Sequence, residues 1–469
     1  MNIKRTWAIV LSLGLTSGAL AGCANSSTPS PAVNEPAVSN SEAANSTSTS
    51  DGGKVYYFNF KPEQDADYQA IAAEYTQKTG VPVKVVTAAS GTYEQQLRSE
   101  IAKNDAPTIF QINGPVGYGN WKEFTADLSG SEIYSHLSDK TLAVSANGGV
   151  YGIPFAIEGY GIIVNKKIMS AYFAIDGAKA KSLDEINNFA KLKDVVEDMQ
   201  AKKASLGIDG VFTSTSLLPG EDWRWQTHLS NVPFYYEFHN NNIDLSDLMN
   251  TSTITFQYNE NFKNIFDLYL NNSTIAPTMT GSKTVDDSMA EFALGQAAMV
   301  QNGNWAYGQI SGVDGNTVNP EDVVFLPIYT GMQGEEAQGL CIGTENFFCI
   351  NSKASAADQK ASLDFLNWLY TSDEGKTHVL NDLGFIVPFD SFGENDRPSD
   401  PLAQQIMIWS NKSGISSVPW NFTVYPSQKF KDQFGGYLLL YAQGQMNWDD
   451  LVKSVVNDWA TERTASLIK

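Results

Sequence analysis

The chain is short of cysteine, histidine and positive charge. Three Cys in 469 residues cannot make a disulfide scaffold. The histidines (His136, His228, His239 and His378) stand at no metal-ligand spacing, so no metal or other cofactor is expected. Lys and Arg number 31 against 52 Asp and Glu, a net charge of −21. That field repels phosphates, which argues against a nucleic-acid partner, and it disfavours anionic membranes and strongly acidic ligands. Past the first 20 residues no stretch has the roughly 20 apolar residues needed to cross a bilayer. The motifs Gly-x-Ser-x-Gly, Gly-x4-Gly-Lys-Ser/Thr and His-Glu-x-x-His are missing. What is present is a 42% hydrophobic fraction with 10 Trp, ample for a full core. The length suits two large lobes.

Lys4 and Arg5 precede an apolar run from Trp7 to Leu15, and Leu20-Ala21-Gly22 leads into Cys23. This order reads as a secretory signal over residues 1–22. A Cys at the cleavage point resembles the lipobox of bacterial lipoproteins, which implies lipidation of Cys23. Residues 23–53 are mostly Ser, Thr, Asn, Ala and Pro with no aromatic side chain, a composition expected to remain a flexible linker. The mature chain is thus expected in the cell envelope, on the extracytoplasmic face of the membrane and held there by lipid alone.

From Lys54 the pattern turns globular. Val55–Phe60, Val81–Val86 and Pro107–Ile112 read as strands. Between the first two, Tyr68, Ile71, Ala72 and Tyr75 mark a helix, with Asp65 or Asp67 as its cap and Gly80 as its stop. Between the second and third, Thr92-Tyr-Glu-Gln95 has the form of a capping box before a helix through Leu97 and Ile101. Such alternation predicts an α/β fold with a mainly parallel sheet. Ligands of such sheets bind at the carboxyl ends of strands, where Asn59 and the segment from Gln111 through Asn113 to Tyr118 fall.

Four passages in fixed order carry a family resemblance. Leu97 to Ile112 contains Ile101-Ala102 and Pro107-Thr-Ile-Phe110, with Thr108 in place of an Asp. Gly149-Val-Tyr-Gly-Ile-Pro-Phe155 is followed by Gly161-Ile-Ile-Val-Asn-Lys166. Glu291 to Met299 precedes Asn302-Gly-Asn-Trp305, and Leu363 to Pro388 closes the set. Together they resemble the carbohydrate-binding, maltose-binding-like solute-binding proteins of ABC importers. The resemblance implies two α/β lobes hinged about a ligand cleft, with residues 54–157 and 328–372 in one and 158–327 and 373–469 in the other. It also implies a monomeric receptor that hands an oligosaccharide to the membrane subunits of an ABC permease.

A sugar ring needs an aromatic platform for its C–H face and planar polar groups for its hydroxyls. Asn302, Asn304 and Trp305 supply both in one loop, which the resemblance places in the cleft. Glu221 and Asp222 stand before Trp223 and Trp225, one of which is expected to stack on the ligand. Glu158 and Tyr160 fall at the first crossing between lobes, Glu345, Asn346 and Phe347 at the second, and Trp420 follows as a late cleft aromatic. Phe234, Phe238, Trp368 and Trp459 read as core. Cys341 and Cys349 are left open between a disulfide and two buried thiols. The same Trp-plus-carboxylate chemistry could serve a secreted glycoside hydrolase, but no carboxylate pair stands out, so no catalytic residue is expected. A peptide receptor is the other alternative.

Overall fold

The computed structural model describes residues 52–89, 91–393 and 395–467. The signal segment, Cys23 and the linker up to residue 51 lie outside the described residues. The strands are β1 (Val55–Asn59), β2 (Val83–Thr87), β3 (Ile109–Ile112), β4 (Val144–Ala146), β5 (Gly149–Pro154), β6 (Glu158–Asn165), β7 (Gly210–Phe212), β8 (Ala297–Gly303), β9 (Val323–Leu326), β10 (Gln338–Gly343), β11 (Phe347–Ile350) and β12 (Ser416–Pro419). Every residue of β1 and of β6 is buried, as continuous apolar runs covered on both faces should be.

Two sheets result, ordered β2-β1-β3-β11-β5-β4 and β12-β10-β6-β8-β7, with β9 also pairing β6. Neither is mainly parallel. In the first, β1 runs parallel to β2 and β3, but β11 is antiparallel to both β3 and β5. In the second, β6 is antiparallel to β8, β9 and β10. The alternation that predicts parallel strands ends at Ile112; β4 and β5 then form an antiparallel hairpin, and β11 returns to the first sheet from the other body.

The helix Asp65–Thr79 packs Tyr68, Ile71, Ala72 and Tyr75 inward and stops at left-handed Gly80 (φ 76°), as its pattern predicts. Its cap position is Gln64, however, with Asp65 and Asp67 inside the first turn. The expected capping box at Thr92 does not form, because the Thr92 hydroxyl donates instead to Ala89 O (2.7 Å).

Four apolar clusters follow the sheets, two to each, and the larger of each pair defines its core. One gathers Val55 to Ala156 and Phe348 to Phe389 around the first sheet, and the other runs from Tyr160 through Cys341 to Trp459. The expected boundaries at 328 and 372 therefore shift. β10 pairs β6 and β12, which carries Ile328 and Cys341 into the second core, while Val379, Leu383 and Phe385 pack in the first. The chain crosses between cores at residues 155–157, 344–346 and 390–401. Cys341 and Cys349 lie in different sheets as free buried thiols, so the disulfide alternative falls. Phe234, Phe238 and Trp459 are core, and Trp368 packs against the first core. No helix among the described residues is long and apolar enough to cross a membrane.

Candidate functional site

The two bodies meet across a cleft floored by the crossings. They touch at its rim, where Gly114 and Gly91 allow the approach. A Cβ at Gly114 would stand 3.1 Å from Thr423 Cβ, and one at Gly91 would stand 2.9 Å from Gly220 O. Both glycines are left-handed (φ 60° and 70°), so a side chain would add strain as well as bulk.

The second body gives the cleft an aromatic wall. β8 is held against β6 through Gly303 opposite Tyr160, and a 3₁₀ turn at Asn304–Ala306 then presents Trp305. Gly303 is required here, since a Cβ would lie 2.2 Å from the Trp305 ring. A π-turn over Arg224–Leu229 widens the helix after Trp223 and brings His228 beneath the indoles. His228 stacks on Tyr160 (4.4 Å, 15°) and lies 5.1 Å from Trp223, 5.3 Å from Trp305 and 6.1 Å from Trp420. Trp305 in turn lies 6.0 Å from Trp223 and 6.4 Å from Trp420. Burial among these rings holds the His228 imidazolium form well below its usual pKa, so the ring is neutral at pH 7.

Charges complete the site. Lys61, from the loop after β1, binds Glu158 (2.9 Å) and Glu63 (3.0 Å) and hangs 5.5 Å from the Trp305 centroid. Burial works against the Lys61 ammonium, but Glu158 and Glu63 outweigh it and keep the proton on lysine. Glu158 is the deeper partner, and burial raises its carboxyl even with Lys61 beside it. Burial also pushes Glu345 up to about 7 and Asp222 up to about 7. Lys431 is 7% exposed, and among the described residues no carboxylate lies within ion-pair distance of it. The Arg224 guanidinium is pushed down to about 10 by burial; Nη2 donates to Ser216 Oγ, while Nε and Nη1 have no partner. Trp420 Nε1, His228 Nδ1 and Thr344 Oγ1 are likewise buried without one. An unpaired buried polar atom costs about 1–3 kcal/mol, so several in one cleft mark where a polar ligand would bring its own donors and acceptors.

Of the residues singled out in the sequence, the fold brings Glu158, Tyr160, Trp223, Trp305, Trp420 and Glu345 together around this cleft, with Asn304 beneath, its Oδ1 accepting from Gly159 N–H (2.9 Å). Others are structural. Asn59 accepts from Tyr57 OH and Lys61 N–H and donates to Lys61 O and Thr87 Oγ1. Gln111 accepts from Tyr57 OH and Phe60 N–H. Both amide oxygens are engaged by β1 and the loop that follows it. Trp225 is a core residue against Phe266 and Tyr269, its Nε1 donating to Ser216 O (3.0 Å), which leaves Trp223 as the cleft member of the pair. Asn302 is buried against Met289, and Phe347 packs in the first body. Glu221 caps the helix at Val285 by accepting its N–H (3.0 Å), and Asn346 is a buried left-handed corner (φ 61°) of the second crossing. Asp222 lies under Gly435, and Asn113 lines an outer cavity.

Lys61, His228 and Lys431 are not among the residues the sequence points to as ligand contacts, and Arg224 enters there only as a local charge that could favour an acidic ligand. His228 and Arg224 lie in the same Trp-rich segment as Trp223, and Lys61 two residues beyond Asn59, so proximity was their one signal.

A cavity opens at each end of the cleft. One of about 240 Å³ lies beside Trp305 and the crossings, and one of about 530 Å³ lies between Asn113 and Lys431. Among the described residues no group of three His, Cys, Asp or Glu could hold a metal ion.

The sequence model of a family described as bacterial extracellular solute-binding protein matches residues 70–404. No curated protein matches. Similar solved structures include a chitin oligosaccharide binding protein (16% identity, TM-score 0.69, covering 88% of this chain and 100% of that one). Another is a solute-binding protein in complex with raffinose (15%, TM-score 0.64, 87% and 99%). A third is a sugar transporter of Bacillus licheniformis in complex with stachyose (15%, TM-score 0.62, 87% and 100%). At these identities the likeness establishes a shared two-lobed α/β fold.

Proposed function

The chain belongs to the bacterial extracellular solute-binding proteins, and on that footing we propose that it captures an oligosaccharide between its lobes and delivers it to an ABC permease without cleaving it. The observation that carries this reading is the wall of Trp223, Trp305 and Trp420 around His228, faced across the cleft by Lys61. Flat rings suit the C–H faces of sugars, and the unpaired Trp420 Nε1, Thr344 Oγ1 and Arg224 nitrogens suit their hydroxyls. Structures similar to this one hold raffinose and stachyose, which favours a ligand of several rings.

In this reading the two cores are lobes that rock about the three crossings. Ligand that bridges both stabilises the closed form by its differential affinity, and the permease reads that form. A monomer tethered through lipid on Cys23 fits the same role, with residues 23–53 as the tether. The test is a thermal-shift screen of the purified protein against raffinose, stachyose, chitin oligosaccharides and peptides, with product analysis of each sample. Ligand at 100 times its dissociation constant adds about 2.7 kcal/mol, enough to raise the melting temperature. A shift with an intact glycan supports the receptor. A hydrolysed glycan would make it an enzyme, and shifts with peptides alone would remove the sugar. Mass spectrometry of the membrane-extracted chain checks the lipid at Cys23.

A further inference from the structure

The two cavities at the ends of the cleft differ in charge. The larger is lined by three acidic and three basic side chains: Glu94, Asp432 and Glu462 against Arg98, Lys429 and Lys431. The smaller is lined by five carboxylates and by no Lys, Arg or His. Resting on the oligosaccharide reading, we propose that this smaller cavity selects a sugar unit that carries a protonated amine.

Four observations support it. Two rings, Trp305 and Tyr307, stand among the carboxylates in the cavity wall, and an ammonium is attracted both to ring faces and to anions. The chain's own Lys61 displays that chemistry at the cavity's edge, its Nζ bound to Glu63 and Glu158 and 5.5 Å from the Trp305 centroid. Gln64, 7% exposed, lines the cavity; its Nε2 donates to Leu383 O (2.9 Å), but its buried Oε1 has no partner and is an acceptor for an N–H donor. Burial raises the carboxyls of Asp67 and Asp400, the latter to about 6, so a positive charge placed among them would be held strongly.

The local balance is not cancelled by neighbours. Lys61 offsets one of Glu63 and Glu158, and His378, bonded through Nδ1 to Asp382 (2.6 Å), offsets a second carboxylate. Among the described residues, Asp67 and Asp400 have no cation within ion-pair distance. A metal ion is disfavoured, because among the described residues no three acidic groups converge as ligands. A neutral hydroxyl would bond to these oxygens but leave their charge unbalanced. An ammonium on a sugar ring provides the charge, the donors and an apolar face for the indole together.

The test is isothermal titration at pH 6 with a glucosamine tetrasaccharide, its fully N-acetylated counterpart and raffinose, against the wild type, Asp67→Asn and Asp400→Asn. Asn keeps the helix-capping ability of Asp400, whose Oδ1 accepts from Ala403 N–H, so the fold is retained. The free amino form should bind at least about tenfold more tightly than the acetylated form, and less so in high salt. Each variant should reduce that preference while leaving raffinose binding as it was. If acetylated or neutral sugars bind and the amino form is no tighter, this proposal is overturned and the sugar receptor stands. If the preference survives in both variants, the cavity is not its source. If no glycan binds at all, the receptor reading falls and takes this one with it.

Discussion

The two sides of the cleft are built from different materials. From the first body come amides at strand ends, Asn59 and Gln111, whose oxygens already accept hydrogen bonds from β1 and the loop after it. From the second body come rings, Trp223, Trp305 and His228, stacked on each other and edged by polar atoms with no partner. A strand-end position therefore places a residue near the cleft without making its polar atoms available. What decides availability is whether the backbone has already taken its polar atoms.

The sharpest way to break this contrast lies within one segment. Trp225 and Trp223 are two residues apart, yet one is buried among Phe266 and Tyr269 and the other faces Trp305. Trp225→Ala should lower stability by about 3–5 kcal/mol in a denaturant melt. Trp223→Ala should leave most of that stability in place and weaken glycan binding instead. Equal loss of stability in both would place Trp223 in the core and remove it from the wall.

Trp305→Ala comes next. It removes the ring nearest the centre of the wall and should weaken ligand binding about 100-fold by calorimetry, as loss of a buried aromatic anchor does. Binding within a few-fold of the wild type would mean that the stacking platform lies elsewhere. On the opposite side, Asn59→Ala should behave in reverse. It strips partners from Lys61 N–H and Tyr57 OH, costing about 1–3 kcal/mol of stability, while affinity stays the same. A loss of affinity without loss of stability would restore Asn59 to the site.

Much of this was legible in the sequence, and what was not has a common physical cause. Strands with continuous apolar runs, Val55–Asn59 and Ile109–Ile112, and the helix stop at Gly80 follow from local patterning. Trp305 and Glu158 follow from motif order. The boundary near 328 did not, because β10 joins β6 and β12 by pairing over long sequence separations that no local pattern encodes. The choice between Trp223 and Trp225 was hidden as well, since the π-turn that separates them has no sequence signature. Lys61 and His228 were overlooked for a related reason. Each stands in a mixed polar stretch that forms no motif, and its meaning comes from Glu158, Trp305 or Tyr160, which reach it through the fold.

The last comparison concerns two carboxylates of the cleft, one with a cation and one without. Glu158 has Lys61 at 2.9 Å, whereas among the described residues Glu345 has no cation within ion-pair distance. Burial raises Glu345 from its ordinary 4.5 to about 7, Lys431 and Lys61 at longer range restraining the rise and Glu158 adding to it. Between those two values the folded protein holds a proton at Glu345 that the unfolded chain releases. Stability should therefore be greatest at the acid end of that window and fall as pH rises from about 4.5 to 7, then level off. Asp222, raised by burial to about 7, contributes in the same direction. Glu345→Gln cannot titrate, so its melting temperature should change less steeply across this range, with Asp222 accounting for part of the slope that remains. An unchanged slope would mean that Glu345 ionises at its ordinary value, and hence that water or a nearby cation reaches it. The two carboxylates would then differ in partner but not in environment.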